Sequence, residues 1–426
     1  MTTPFWYNAA LALLKPIYKW RIKKRADNIE QFHQECLERF GPFQSPKNLN
    51  AIWFHVVSVG ETNAAQPLIE HYLKLGYAVL VTNTTKTGQA RAKSLFAKVP
   101  YVDLFQAVYL PADQKKLVSA FLKKYQPKML VLVETELWPN LIDQAKISKI
   151  PTFLVNARLS KKSAKGYAKV PSITQPMLSG LTQLLAQDEA SLNRFRALGA
   201  ATAHSQTVGS IKFDIHAPEE MLLKAQQIHQ DWDLQARQII TIASTHHPEE
   251  KNLLSKFKDY LNDHPAVLLI IVPRHPERFY EVAQAIQSHE LKMHRRSLGE
   301  IIEADTQVYL ADSMGEMWIW YALSQASFVG GSLNEPGGGH NILEPISLNV
   351  PTVIGPNYFN FQTIVDEFVE EKGILIGQTT EEVVNHLIQC LSQDETILAV
   401  QNQAQKIMQR NTGSLQKHIH VLNQYL

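Results

Sequence analysis

The chain has 426 residues, 45% of them hydrophobic and 19% charged, with a formal net charge of +2. That length suits two domains, the composition excludes a disordered chain, and the near-balanced charge gives no global signal for a nucleic-acid partner. Two distant cysteines, Cys36 and Cys390, form no metal or redox motif, which points to a disulfide-free cytoplasmic protein.

An apolar, aromatic-rich stretch, Phe5 to Leu14, opens the chain and runs into six basic residues, Lys15, Lys19, Arg21, Lys23, Lys24 and Arg25. A secretory signal carries its charge ahead of the apolar core and ends at a small-residue cleavage site; here the order is reversed. A spanning helix needs roughly 18 apolar residues, so the stretch predicts an amphipathic helix lying on a membrane. Its cations would sit among anionic headgroups, each contributing about 1 kcal/mol, on the cytoplasmic side that basic flanks favour. The alternative is an ordinary first helix with a solvated basic flank.

Short β-rich runs then alternate with helical segments. In the first half strands are expected near Ile52–Val57, Ala78–Thr82, Ala107–Leu110, Met129–Val133, Thr152–Val155 and Leu184–Ala186. In the second half they are expected near Ile239–Ala243, Val267–Val272, Gln307–Leu310, Ser327–Val329, Thr352–Ile354 and Ile374–Ile376. Helices such as 63–75, 115–124 and 249–262 separate them. Most of the strands are continuous apolar runs, which suits parallel strands covered on both faces. The class is therefore α/β, with two doubly wound parallel-sheet domains. The polar stretch Ala201–Pro218 is the expected hinge.

Open parallel sheets bind ligands beyond the carboxyl ends of their strands, and polar residues concentrate there. The first half carries "SVGE" (Ser58–Glu61), "ETELWP" (Glu134–Pro139) and the basic "NARLSKKS" (Asn156–Ser163). The second carries "STHH" (Ser244–His247), "PRHPERF" (Pro273–Phe279), "DSMGEM" (Asp312–Met317) and "GGSLNEPGGGHNILEP" (Gly330–Pro345). A Gly-rich loop entering a helix suits an anion. Ser244, Thr245, Arg274 and Arg278 are candidate phosphate partners, and Glu344 could accept from ribose hydroxyls. Each feature also has a plain reading. Glu61 suits a helix start, a Gly-rich turn suits loop geometry, and His246–His247 suit an exposed turn. His340 and Glu344, four apart, lack a third metal ligand. Co-location at the sheet edges favours function.

With these residues assembled, the chain resembles the 3-deoxy-D-manno-oct-2-ulosonic acid (Kdo) transferases of lipid A biosynthesis. The resemblance rests on "HVVSVGE", "VETELWPNLI", "NARLSKKSAKGY", "GSIKFD", "ASTHHPEE", "PRHPERF", "GEMWIWYA" and "FVGGSL…GGHNILEP…GP…NF", in order along nearly the whole chain. Two details depart from the family pattern: Ser210 where asparagine is usual, and His247–Pro248 where a smaller pair is commoner. The resemblance implies a GT-B fold with an interdomain cleft and three segments: an N-terminal membrane helix (1–26), an acceptor domain (27–210) and a CMP-sugar domain (211–426). It leaves room for the last helix to pack back on the acceptor domain. It implies inverting transfer of Kdo from CMP-Kdo to a lipid A precursor, lipid IVA, at the cytoplasmic face of the inner membrane, with no metal and no nucleic acid.

Within it Glu61 would be the general base, with a pKa depressed by its helix N-terminus. Ser244, Thr245, Arg274 and Lys212 would hold the phosphate, Asn341 would orient it, and His340 would line the same site. Gly315, Glu316 and Met317 would line the cytidine, and Glu344 the ribose. Glu134, Arg158, Lys161 and Lys162 would engage the acceptor. A nucleotide-sugar epimerase on the same architecture is the rival, and would need neither lipid acceptor nor membrane helix.

Overall fold

The computed structural model describes residues 3–426. Contacts divide them into a first unit that runs to Asp214 and takes back Thr412–Leu426, and a second unit, Ile215–Asn411. This boundary falls slightly beyond the expected 210/211.

The first unit contains strands β1 (Ile52–His55), β2 (Val79–Asn83), β3 (Phe105–Tyr109), β4 (Met129–Val133), β5 (Thr152–Ala157), β6 (Gln183–Ala186) and β7 (Ser205–Thr207). They form one parallel sheet in the order β3-β2-β1-β4-β5-β6-β7. Alternation along the strands splits the core by face. Trp53, Leu80, Leu130, Leu132 and Leu154 pack on one side, and Ile52, Phe54, Val81, Val131 and Phe153 on the other. Both layers must be covered, which is why the strands are apolar throughout.

In the second unit are β8 (Gln238–Thr245), β9 (Val267–Pro273), β10 (Met293–Arg295), β11 (Val308–Leu310), β12 (Ala326–Val329), β13 (Thr352–Ile354) and β14 (Leu375–Ile376). Their order is β10-β11-β9-β8-β12-β13-β14, again parallel. Each sheet reverses its winding once, at β1/β4 in the first and β8/β12 in the second. At such a switch point the connections diverge to opposite faces and leave a crevice at the strand ends.

Two strands escape the sequence expectations, β7 and β10. Both are edge strands of three residues, and only Ser205 among them is fully buried; without an apolar face they carry no strand pattern. The expected hinge 201–218 is partly structured, since β7 joins the first sheet and short 3-10 turns, Thr202–His204 and Ile211–Phe213, flank it.

The helix Phe5–Arg25 belongs to the first unit and is tied to it by side chains. Ile22 is buried, the Tyr7 hydroxyl donates to Asp113 Oδ2 at 2.9 Å, and Gln114 Nε2 donates to the Leu11 carbonyl at 3.2 Å. Asp113 also accepts from the N–H groups of Asn140 (3.1 Å) and Leu141 (2.8 Å), capping the helix Pro139–Ile147. No helix among the described residues is long and apolar enough to cross a membrane.

Candidate active site

In the first unit three carboxylates meet at the β1/β4 switch point. After β1 the chain turns at Ser58, the N-cap of the helix Val59–Lys74, whose Oγ accepts from the Glu61 N–H at 3.4 Å. Glu61 reaches back: its Oε2 accepts from the Val57 N–H at 2.7 Å and its Oε1 from the Ser58 hydroxyl at 3.3 Å. This is a capping-box pattern displaced by one residue. After β4, Glu134 adopts φ +60° and pairs through Oε1 with Lys212 Nζ at 2.9 Å. Glu136 accepts at Oε2 from Trp138 Nε1 at 2.9 Å.

The expected depression of the Glu61 pKa does not occur. Burial pushes its carboxyl up to about 8; the Val57 and Ser58 donors oppose that shift, and the charges of Glu136 and Glu134 add to it. The helix N-terminus and two donors do not offset desolvation beside two like charges. Lys212, grouped above with the phosphate ligands, instead makes its ion pair with Glu134 of the first unit. Arg158 is half-buried, Lys161 and Lys162 are exposed at the start of the helix Lys161–Ala168, and none of the three shows a side-chain ion pair among the described residues.

In the second unit Ser244, Thr245, Arg274, His340, Asn341 and Glu344 gather around the β8/β12 switch point, whereas Gly315, Glu316 and Met317 follow β11, two strands away from β8. Ser244 takes φ +55° where the β8–β9 register slips, and the Thr245 hydroxyl is buried without a hydrogen-bond partner. Glu249, the first residue of the helix Glu249–Asp263, clamps the turn after β12. Its carboxylate accepts from the N–H groups of His246 and Gly331 (2.8 Å each), Ser332 (3.0 Å) and Leu333 (2.9 Å). A Cβ at Gly330 would stand 2.8 Å from both Glu249 Oε2 and Thr245 Cα, so this clamp requires glycine.

The Gly-rich loop is less open to an anion than its sequence implies. The Gly338 N–H donates to the Asn357 carbonyl (3.2 Å) and the Gly339 N–H to that of Gly331 (2.7 Å). Asn341 is also internally engaged, with Nδ2 on Glu344 Oε1 and Oδ1 accepting from the Leu343 N–H, both 3.2 Å. Arg278, offered above as a phosphate partner, forms a double bond-pair to buried Glu250 at 2.8 Å per contact. Arg274 is exposed, and its side chain has no hydrogen bond or ion pair among the described residues.

His246, assigned to an exposed turn by its sequence context, is turned inward. Its Nε2 lies 2.7 Å from His340 Nε2, with the rings stacked at 5.0 Å. At that distance the two nitrogens share one proton. Burial first, then His246, Arg274 and His275, push His340 down to about 4. His247 does remain exposed, on Glu281. Glu344 has its carboxyl raised by burial, against the lowering influence of Asn341 and Arg274. Gly315 lies in an open turn at φ +85°. Glu316 pairs with Arg296 at 2.9 and 2.7 Å, which holds its carboxyl below the usual range. Met317 opens the helix Met317–Ala322 and packs against the core.

Residues 34–215 match the family model described as 3-Deoxy-D-manno-octulosonic-acid transferase (kdotransferase). A 3-deoxy-D-manno-octulosonic acid transferase of Haemophilus influenzae is 35% identical over 99% of this chain and 98% of its own. The chain belongs to the Kdo transferase family. It is thus a glycosyltransferase of lipopolysaccharide biosynthesis. Two solved structures share the fold: a Rickettsia africae glycosyltransferase (TM-score 0.54, 14% identity, 89% of this chain and 99% of that one) and the UDP-GlcNAc 2-epimerase of Neisseria meningitidis (TM-score 0.54, 16% identity, 86% and 100%). The architecture is GT-B.

For a Kdo transferase the carboxylate cluster is the part best suited to proton transfer, and the arginine- and histidine-lined strand ends of the second unit are the part best suited to an anion. Sequence reasoning placed neither His55 nor His246 among the site residues. His55 ends β1 as a buried member of an apolar run, and only the strand order sets it beside the β4 loop.

Proposed function

We propose that the protein transfers Kdo from CMP-Kdo to a lipid A precursor, lipid IVA, with inversion at the anomeric carbon and Glu61 as general base. The observation that carries this reading is a half-buried carboxylate, with a pKa pushed up to about 8, at the ligand edge of the first sheet. General-base catalysis is most efficient when the pKa lies near the working pH. As the acceptor oxygen bonds to the anomeric carbon, its proton passes to Glu61 and the glycosidic electron pair leaves with CMP.

Arg274, with Ser244 and Thr245, would take the charge developing on the phosphate. Asn341 and His340 would flank the phosphate, Glu344 would hold the ribose, and Gly315–Met317 would line the cytidine. Glu134 and its partner Lys212, with Arg158, Lys161 and Lys162, would engage the phosphorylated glucosamine acceptor. A monophosphate leaving group offers no pyrophosphate for a divalent ion to chelate, so we expect no metal requirement. The exposed apolar residues of Phe5–Arg25, among them Phe5, Trp6, Leu13 and Trp20, support monotopic attachment to a membrane surface, and the basic flank would set it at the cytoplasmic face of the inner membrane.

Mass spectrometry of products from CMP-Kdo and a tetraacylated disaccharide tests the reaction. The expected outcome is Kdo addition at equal yield with and without EDTA. Donor conversion without acceptor would favour the epimerase chemistry of the fold relative.

A further inference from the structure

His55 is fully buried at the carboxyl end of β1. Its Nδ1 lies 3.0 Å from both the carbonyl and the hydroxyl of Thr82. Its Nε2 is buried with no hydrogen-bond partner and points at Glu136 Oε2, 3.6 Å away. The Thr82 hydroxyl accepts the Trp53 indole N–H at 2.9 Å, so it has its own proton to donate to His55 Nδ1. That arrangement leaves the ring hydrogen on Nε2, facing the carboxylate; the other tautomer would give Nδ1–H to the Thr82 carbonyl at the cost of a bare lone pair set against Glu136. Trp138 Nε1 holds the same oxygen of Glu136 at 2.9 Å, and its ring lies edge-on to His55. Trp138 thus holds one carboxylate oxygen of Glu136, and His55 Nε2, from another element, approaches the same oxygen beside Glu61. The 3.6 Å approach is of the kind that tightens when substrate binds.

We propose that His55 and Trp138 are positioning residues that fix the Glu136 carboxylate next to Glu61, making Glu136 the fixed negative neighbour of the proton-accepting group. The inference rests on the reading of Glu61 as base. Its consequence is electrostatic: a like charge held close keeps the Glu61 proton on to higher pH and makes its carboxylate a stronger base. Glu136 precedes Glu134 among the charges that raise Glu61, and Glu134 is in addition paired with Lys212. The other groups facing the cluster are the Ser58 hydroxyl, which donates to Glu61, and the Tyr167 phenol, whose own proton is held by burial and by Glu136.

The test is the titration of Glu61, followed by ¹³C NMR of carboxyl-labelled protein and assigned by Glu61→Gln, beside the pH profile of kcat/KM. Glu136→Gln should lower the Glu61 midpoint and the acidic limb by roughly one pH unit. His55→Asn and Trp138→Phe should move both in the same direction. The double variant with Glu136→Gln should move them no further than Glu136→Gln alone. If His55→Asn does not fold, Trp138→Phe decides. A midpoint unmoved by Glu136→Gln, or unmoved or raised in the variants of His55 and Trp138, overturns the proposal. A midpoint that moves while the limb stays, with turnover retained in Glu61→Gln, upholds the positioning and removes Glu61 as the base.

Discussion

At Glu61 the capping contacts and the chemistry draw on the same carboxylate. The Val57 N–H at 2.7 Å stabilises the charged form, yet burial and two neighbouring carboxylates prevail. A base must be ionised to act, so kcat/KM should rise with pH through about 8, about tenfold per unit on the acidic side. Below that pH the group is protonated and also still able to cap its helix. Glu61→Gln keeps the shape and removes the base; transfer should fall by about 10²-fold or more, measured with purified protein and matched folding by circular dichroism. Arg274 is the complementary case. Its guanidinium is exposed and uncommitted among the described residues, whereas Arg278 is tied to Glu250. Arg274→Ala should therefore weaken CMP binding about tenfold or more in calorimetry, at little cost to stability.

The N-terminal helix, Phe5–Arg25, works as an element with two faces. Tyr7, Leu11 and Ile22 engage the body of the first unit. Trp6, Leu13, Ile17 and Trp20 fall on one stripe at helical spacing and are exposed, Leu13 at 79%. Removing the whole helix would therefore strip the Tyr7 bond from Asp113 as well as the exposed stripe. The cleaner experiment is Leu13→Glu with Trp20→Glu. Burying each of those side chains is worth about 1.5–3 kcal/mol, so flotation with anionic vesicles should show binding weakened roughly a hundred-fold or more. The melting temperature should match wild type, since neither side chain packs inside.

The whole molecule is threaded so that both chain ends belong to the first unit. The helix Ser414–Asn423 sends Ile419 and Leu422 into that unit's core, and His418 Nε2 accepts the Asn156 N–H at 3.0 Å at the end of β5. Truncation after Asn411 should unfold or strongly destabilise the first unit, since each buried Leu or Ile lost costs about 2–5 kcal/mol. Hydrogen exchange should then lose protection in β5 and in the helix Val59–Lys74 while β8 and β9 keep theirs. The sequence by itself determined the α/β class, the parallel character of the strands and the segments at their carboxyl ends, because burial on both faces demands apolar runs and leaves polar residues to the edges. It also carried the family motifs. Only the tertiary structure decided which edges meet. Strand order places the β1 and β4 loops side by side and so gathers Glu61, Glu134, Glu136 and His55; it likewise brings His246 onto His340. The same folding reversed the expected direction of the Glu61 pKa and moved Lys212 to Glu134, because desolvation and the charges of distant segments are set by packing that no local stretch encodes.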